Sequence, residues 1–228
     1  MKIIGCQAPR KSVLAAGLGL ALSAGSSFAG PVPAPASDVP AGIGAPQTVV
    51  LSGGCFWGVQ GVFEHVRGVQ RAISGYAGGQ AATAHYEIVG TGLTGHAESV
   101  KIVFDPRQIT FGQILRIYFS VATDPTQLNH QFPDEGPQYR GEIFYTTDAQ
   151  KAVAQRYIAQ LTAGKVFPKP IVTRIDPLTG FFAAETYHQD YLTLHPDQPY
   201  IATYDLPKVA ALRTLFPTLY RPRPISAL

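Results

Sequence analysis

The chain has 228 residues, of which 46% are hydrophobic and 14% charged. This composition predicts a folded core and argues against disorder, and the length allows one large domain or two small ones. The formal net charge is +3, but the first 29 residues hold three basic residues and no acidic ones. The remaining 15 basic and 15 acidic residues balance, so the charge gives no reason to expect binding to nucleic acid.

Residues 1–29 have the pattern of a secretory signal peptide. Lys2, Arg10 and Lys11 precede an uncharged apolar run over 13–26, and small residues follow up to Ala29. The run is too short for a stable membrane span, although an uncleaved anchor is the alternative. We therefore expect an exported protein, periplasmic if the source has an outer membrane, with no stable membrane association after cleavage.

The next segment, 30–46, contains five prolines and predicts an extended, flexible linker. Beyond it, hydrophobic periodicity predicts alternating elements. Strands are expected at 47–54, 73–79, 98–106, 141–147 and 171–177, and helices at 56–66, 111–122, 149–164 and 206–214. The stretch 123–140 lacks a period and predicts a long loop of the kind that often carries function. Few, unequally spaced strands predict a single α+β domain with a mixed sheet.

The stretch SGGCFWG at 52–58 places a cysteine where the first strand meets the first helix. At a helix N-terminus the free N–H groups and the helix dipole stabilise a thiolate, which makes Cys55 a candidate nucleophile. Gly53 and Gly54 allow a tight turn there. The alternative is that Cys55 is a small buried hydrophobic residue, as most free cysteines are.

Two aromatic residues follow the cysteine directly. Phe56 and Trp57 both fall in the first helical turn, so we expect that they cannot both face the core and that at least one lines a pocket. Aromatic walls suit a small apolar or sulfur-bearing group. The alternative is that Trp57 is only a core anchor.

Five stretches together resemble the peptide methionine sulfoxide reductases of the A type and follow that family's order. They are GGCFWG, GYAGG at 75–79, TGHAESVKIVFDP at 94–106, PDEGPQYR at 133–140 and ETYHQDYL at 185–192. The resemblance covers about Thr48 to Tyr200. It implies a two-layer, ferredoxin-like core, a catalytic domain over 47–205, and a C-terminal helix and tail over 206–228.

The resemblance also implies an activity, the reduction of the S epimer of methionine sulfoxide, free or in proteins. It makes Cys55 the nucleophile that attacks the sulfoxide sulfur and Glu98 the acid that protonates the oxygen. Glu98 can donate a proton only if burial raises its pKa. Without the motif, the sequence alone would indicate a surface glutamate at a strand edge. The substrate-binding residues implied are Phe56 and Trp57 at the methyl group, Tyr86 and Tyr139 at the oxygen, and Asp134 at the main chain.

Two other interpretations of Cys55 remain open. His188 and Asp190 could complete a Cys-His-Asp hydrolase set with Cys55, and Cys55 could serve a redox-sensing module that never turns over. The six histidines are scattered without the paired spacing of zinc sites, so no metal is expected.

The chain has two cysteines, Cys6 and Cys55. Because Cys6 leaves with the predicted signal peptide, we expect a single-cysteine form with no C-terminal resolving cysteine. The sulfenic acid left on Cys55 must then be reduced by an external thiol: a thioredoxin-like or glutaredoxin-like protein or a small thiol. No bound cofactor is expected, the partners are oxidised proteins and this reductant, and the protein is expected to be a monomer.

Overall fold

The computed structural model describes residues 31–39 and 44–227. The strands are β1 Gln47–Ser52, β2 Val69–Ala77, β3 Ala97–Phe104, β4 His130–Gln131, β5 Asp134–Glu135, β6 Glu142–Tyr145, β7 Arg174–Pro177 and β8 Phe181–Ala183. The α-helices are α1 Phe56–Glu64, α2 Tyr86–Val89, α3 Phe111–Ile117, α4 Asp148–Ala163, α5 Tyr191–Leu194 and α6 Leu206–Leu215. Short 3-10 turns lie at Ala81–Thr83, Pro137–Tyr139 and Thr186–His188, and π-helical turns at Tyr118–Ala122 and Ile201–Asp205.

One six-stranded sheet organises the chain, in the order β7-β6-β1-β3-β2-β8, while β4 and β5 form a separate hairpin. All neighbouring pairs in the large sheet are antiparallel except β6 and β7, which run parallel. Its four central strands, β6-β1-β3-β2, have the order of a split βαβ unit with ferredoxin-like topology. The predicted α+β class with a mixed sheet is confirmed.

The helices complete a two-layer structure. The main apolar core lies between one face of the sheet and helices α1, α3 and α4. Side chains along β1 point alternately to the two faces of the sheet. Val49 and Leu51 lie in this core, while Val50 belongs to a smaller cluster with Ala77 and Phe144 on the other face. No helix in the described part of the chain is long and apolar enough to cross a membrane.

Residues 31–39 differ from the flexible linker expected over 30–46, because they are bound to the domain. Val32 is buried; its N–H donates to Ser120 Oγ at 3.1 Å, and its carbonyl accepts from Arg116 Nε at 2.8 Å. The prolines favour an extended segment without regular backbone hydrogen bonds of its own. Its backbone groups are therefore available to the helices that it crosses. We call residues 31–39 the N-terminal strap.

The other end of the strap caps a helix. Asp38 accepts hydrogen bonds from the Thr110 hydroxyl and, at 2.7 Å, from the Gly112 N–H. Both groups belong to the start of α3, where the predicted cap Thr110 also accepts from the Gln113 N–H. A carboxylate at a helix N-terminus satisfies free N–H groups and complements the dipole. The strap thus contributes an acidic cap that α3 lacks in its own first turn.

The predicted signal peptide over 1–29 lies outside the described residues. The division into a catalytic domain over 47–205 and a C-terminal part over 206–228 stays a prediction. In the structure α6 packs directly against α1, and the tail returns to the same region, where the Ile225 N–H donates to the Glu64 carbonyl at 3.1 Å.

Candidate active site

The turn between β1 and α1 places Cys55 at the N-cap of α1, as predicted. Gly54 has a φ of +96°, a backbone conformation that other residues rarely adopt, so the turn requires glycine there. The α1 first turn contains no acidic residue. No charge within the first turn of α1 therefore competes with the Cys55 sulfur for this helix end.

Cys55 is almost completely buried and is disulfide-bonded in this structure. The second cysteine of the sequence, Cys6, lies outside the described residues. The expectation that Cys55 is the only cysteine of the mature chain stays a prediction.

Glu98 on β3 lies at the same helix start. Its Oε2 accepts a hydrogen bond from the Phe56 N–H at 3.0 Å, although the two residues are 42 positions apart. Burial raises the pKa of Glu98 well above its ordinary value of 4.5; the Phe56 N–H opposes this effect, and the charges of Asp134 and Asp205 add to it. A raised pKa favours the protonated carboxyl group, which is the form that can donate a proton.

Asp134, on β5, is the second buried carboxyl group of the site. Its Oδ2 accepts a hydrogen bond from the Tyr200 hydroxyl, and Oδ1 has no hydrogen-bond partner among the described residues. Burial raises the pKa of Asp134 to about 6, while the Tyr200 bond and the charge of Lys208 oppose this shift. Tyr200 was not predicted as a site residue, since an isolated tyrosine in an irregular segment gives no sequence signal.

The aromatic pair after Cys55 corrects one expectation, because Phe56 and Trp57 are both fully buried. The segment that follows β8 covers the outer side of α1, so both faces of the first helical turn are inside the protein. Trp57 stacks on Tyr191 with ring centroids 3.8 Å apart. The Phe56 ring lies 5.9 Å from the Tyr76 ring and 5.1 Å from the His188 ring.

His188 belongs to this aromatic cluster and not to a hydrolase set. Its Nδ1 accepts from Trp57 Nε1 at 3.2 Å, and its ring centroid is 4.4 Å from that of Tyr86. Burial lowers the pKa of His188 to about 4, which keeps it neutral. Asp190 instead binds the Ser226 hydroxyl and, at 2.8 Å, the Ala227 N–H. The carboxylate that would orient His188 is therefore engaged elsewhere.

Tyr86 opens α2 and is held there by a residue that the sequence analysis missed. The Tyr86 N–H donates to Glu185 Oε1 at 3.1 Å, and the Tyr76 hydroxyl donates to Glu185 Oε2 at 2.9 Å. Burial raises the pKa of Tyr86, as do the nearby charges of Glu98 and Asp134. The phenol is thus a neutral hydrogen-bond donor close to both carboxyl groups.

Tyr139 is buried in the 3-10 turn Pro137–Tyr139, which packs against β3. The next residue, Arg140, was not predicted, although it lies in the same motif. Arg140 donates to the carbonyls of Gly95 and His96 at 3.0 and 3.2 Å and forms a buried ion pair with Glu142 at 2.6 Å. It therefore ties the turn of Tyr139 to the loop that leads into Glu98.

A buried ion pair beside α1 was also missed by sequence reasoning. Asp205 is fully buried, and its Oδ1 accepts from Lys208 Nζ at 3.1 Å. A Cβ atom at Gly58 would lie 2.1 Å from the same oxygen. The third residue of α1 must therefore be glycine for this pair to reach the helix start.

Within the described residues, no group of three or more His, Cys, Asp or Glu side chains has the arrangement to hold a metal ion. His96, for which the sequence suggested no role, accepts from the Gly79 N–H at 3.2 Å, and its Nε2 lies 3.0 Å from the Gln80 carbonyl oxygen. It therefore fixes the glycine turn after β2.

A cysteine at a helix start, beside a buried carboxyl group of raised pKa, is the arrangement of an enzyme that uses the cysteine as a nucleophile. The family profile described as "Peptide methionine sulfoxide reductase" matches residues 47–218. The chain belongs to this family, and it is an oxidoreductase that reduces methionine sulfoxide.

Named relatives agree with this assignment. The chain is 58% identical over 182 residues to peptide methionine sulfoxide reductase MsrA 2 of Mesorhizobium japonicum, covering 80% of this chain and 93% of the relative. It is 46% identical to MsrA 2 of Synechocystis, covering 86% of this chain and 95% of the relative. It is 43% identical to MsrA of Thermus thermophilus, covering 77% and 98% respectively.

Solved structures agree as well. The reduced form of Mxr1 from Saccharomyces cerevisiae aligns with a TM-score of 0.62 at 29% identity, covering 74% of this chain and 94% of that one. Methionine sulfoxide reductase A of Corynebacterium diphtheriae aligns with a TM-score of 0.58 at 32% identity, covering 68% and 78%. The predicted A-type family and the predicted reduction of methionine sulfoxide are confirmed.

Proposed function

We propose that the chain reduces the S epimer of methionine sulfoxide, in polypeptides and as the free amino acid, through the Cys55 thiolate. The observation that carries this mechanism is the bond from the Phe56 N–H to Glu98. It brings a carboxyl group of raised pKa to the helix end that bears Cys55. Nucleophile and proton donor then meet at one helix N-terminus.

In the first step the Cys55 sulfur attacks the sulfoxide sulfur, and Glu98 gives its proton to the sulfoxide oxygen. The S–S bond formed by this attack and the S–O bond of the sulfoxide both break as the oxygen moves to the Cys55 sulfur, so the methionine sulfur gains two electrons and the Cys55 sulfur loses two. The products are methionine and a sulfenic acid on Cys55. Tyr86 and Tyr139 hold the oxygen, and the Phe56 and Trp57 rings bound the methyl site.

The Asp134–Tyr200 pair supports the substrate main chain in this proposal. Tyr200 occupies one carboxylate oxygen of Asp134, while the other has no hydrogen-bond partner among the described residues. A buried acceptor of this kind suits a water molecule or the N–H of the substrate.

The enzyme is then restored by an external thiol. A thiol attacks the sulfenic acid, releases water and forms a mixed disulfide, which a second thiol resolves. We propose a thioredoxin-like or glutaredoxin-like protein or a small thiol as the donor, because Cys55 is the only cysteine within the region that matches the family. We further propose export with removal of residues 1–29, in keeping with the apolar leader.

The experiment uses the chain from residue 30, reduced with dithiothreitol and then freed of it. A peptide containing S-methionine sulfoxide should yield one equivalent of methionine without added thiol and many equivalents with it. Cys55→Ser should yield none, and Cys6→Ser in the full-length chain is the matched control that retains activity. Continued turnover without thiol would refute the external donor, and at most one equivalent with thiol present would instead indicate a redox sensor.

A further inference from the structure

Most of the large exposed apolar side chains in the described part of the chain lie on segments that also hold residues of the candidate site. Among the described residues, the large apolar side chains with high exposure are Ile88, Leu93, Leu128, Phe132, Tyr187 and Leu194. All but Leu194 lie on three segments that also hold site residues: 86–93 with Tyr86, 128–134 with Asp134, and 186–188 with His188. Exposed apolar groups that adjoin a site are candidates for contacts with the ligand of that site.

Ring contacts connect these side chains to the site. Phe132, which is 72% exposed, lies 5.8 Å from the Tyr204 ring. Tyr204 is 5.1 Å from Tyr200, whose hydroxyl binds Asp134. Phe132 is therefore the outer end of a row of aromatic rings that begins at a substrate-binding carboxylate.

A second row approaches from α2 and the segment after β8. The Tyr187 ring lies 4.3 Å from the His188 ring, which is 4.4 Å from the Tyr86 ring. Ile88 follows Tyr86 by two residues and is exposed. Asp134 lies near enough to Tyr86 for its charge to raise the Tyr86 pKa. The two rows thus meet at the same site.

We propose that an apolar rim, formed by Ile88, Leu93, Leu128, Phe132 and Tyr187, binds the side chains that flank methionine sulfoxide in a polypeptide. This inference rests on the proposed function. A methionine sulfoxide within a peptide has main chain leaving in both directions, so its neighbours must pass over the residues beside Tyr86 and Asp134. The preferred substrates are extended or unfolded segments in which the oxidised methionine has apolar neighbours.

Charge gives the rim a second preference. Glu87 and Glu135 are exposed and adjoin Ile88 and Asp134 in the sequence. Their negative charges repel acidic side chains near the substrate methionine, more so at low salt. The rim therefore disfavours segments with aspartate or glutamate beside the methionine sulfoxide.

The test measures one reaction cycle of the reduced chain from residue 30, with no thiol reductant present. Three peptides carry S-methionine sulfoxide between two leucines, two serines or two aspartates, and the free amino acid is the reference substrate. We expect the apparent second-order rate constant for the leucine peptide to exceed that for the serine peptide by about fivefold to tenfold, the size expected for partly buried aliphatic side chains. The aspartate peptide should be the slowest.

Single-residue variants then test which side chains cause the preference for apolar neighbours. Ile88→Ser and Phe132→Ser should each lower the ratio of the leucine-peptide to the free-substrate constant by about threefold. Leu194→Ser is the matched control, since Leu194 is an exposed apolar residue outside the three segments, and it should leave the ratio unchanged. Thermal unfolding should show that all three variants remain folded.

Other results would overturn the proposal. Equal constants for the leucine and serine peptides would remove the rim as a substrate contact. A slowed multiple-turnover rate with an unchanged single cycle would assign the surface to the reductant instead. If the wild-type chain reduced none of the four substrates, the proposed function itself would fail, which is a distinct outcome.

Discussion

At the scale of single residues, Glu98 combines two properties that seldom occur together. It accepts a hydrogen bond from the first N–H of α1, which favours the carboxylate, and it is buried, which favours the acid. Burial is the larger effect, so the pKa is raised. The N–H bond then acts mainly to hold the carboxyl group in place at the helix start.

Glu98→Gln should reduce the rate of a single reaction cycle by about a hundredfold to a thousandfold, as expected when a general acid is lost. In the wild type the rate should fall as pH rises through the raised Glu98 pKa, because only the protonated form donates. That falling limb should be absent in Glu98→Gln. Rapid-quench measurements across pH test this, with Asp197→Asn as a control at an exposed carboxylate. A falling limb that persists in Glu98→Gln would belong to another group.

At the scale of elements, hydrophobic periodicity was sufficient to predict a helix or strand where the element is long and buries one face. Helices α1, α4 and α6 and strands β1 and β3 lie close to their predicted bounds. The short elements α2, α5 and β8 were not predicted, because three or four residues show no period. Contacts with residues far away in the sequence hold such elements in place. Glu185, for example, accepts hydrogen bonds from the Tyr76 hydroxyl and from the N–H of Tyr86 at the start of α2.

The candidate site shows the same limit. Cys55 and Glu98 could be found because they lie in motifs and their chemistry is recognisable. The complete burial of Phe56 and Trp57 could not, since it depends on the segment after β8 that covers α1. Asp205 and Gly58 likewise come into contact only through the packing of α1 against the turn before α6.

The N-terminal strap gives a prediction at this scale. Asp38→Ala removes the acceptor of the Gly112 N–H and of the Thr110 hydroxyl at the start of α3. It should lower the free energy of unfolding by about 1 kcal/mol, the usual cost of losing a helix cap. Urea unfolding of the chain from residue 30 measures this, and Ser37→Ala, at a partner of exposed Arg156, is the control. Equal stability of the two variants would mean that the strap does not cap α3 in solution.

At the scale of the whole molecule, the C-terminal tail closes over a buried acidic pair. Glu64, at the end of α1, and Asp190, before α5, lie close together, and Asp190 holds the tail through Ser226 and Ala227. Burial raises the pKa of Glu64 from its ordinary 4.5 to about 9, with Asp190 adding to the shift. In the folded chain Glu64 is therefore protonated at neutral pH, whereas in the unfolded chain it is ionised.

Because the folded-state pKa is the higher one, the stability contributed by protonated Glu64 is complete below pH 4.5 and is lost progressively up to about pH 9. Glu64→Gln removes this dependence. The variant should therefore gain in stability relative to the wild type as the pH is raised from 5 to 8.5. Urea unfolding at several pH values measures the difference, and exposed Glu87→Gln should show no such trend. A difference that is constant with pH would contradict the raised pKa.

The N-terminal strap finally bears on the order in which the chain assembles. Its partners Ser120 and Tyr157 follow it by 88 and 124 residues, so its binding surface does not exist until α3 and α4 have been synthesised and packed. The first part of the domain to be made therefore cannot bind until much later parts have folded. Local opening should begin there too, so the strap's amide hydrogens should exchange before those of the central strands.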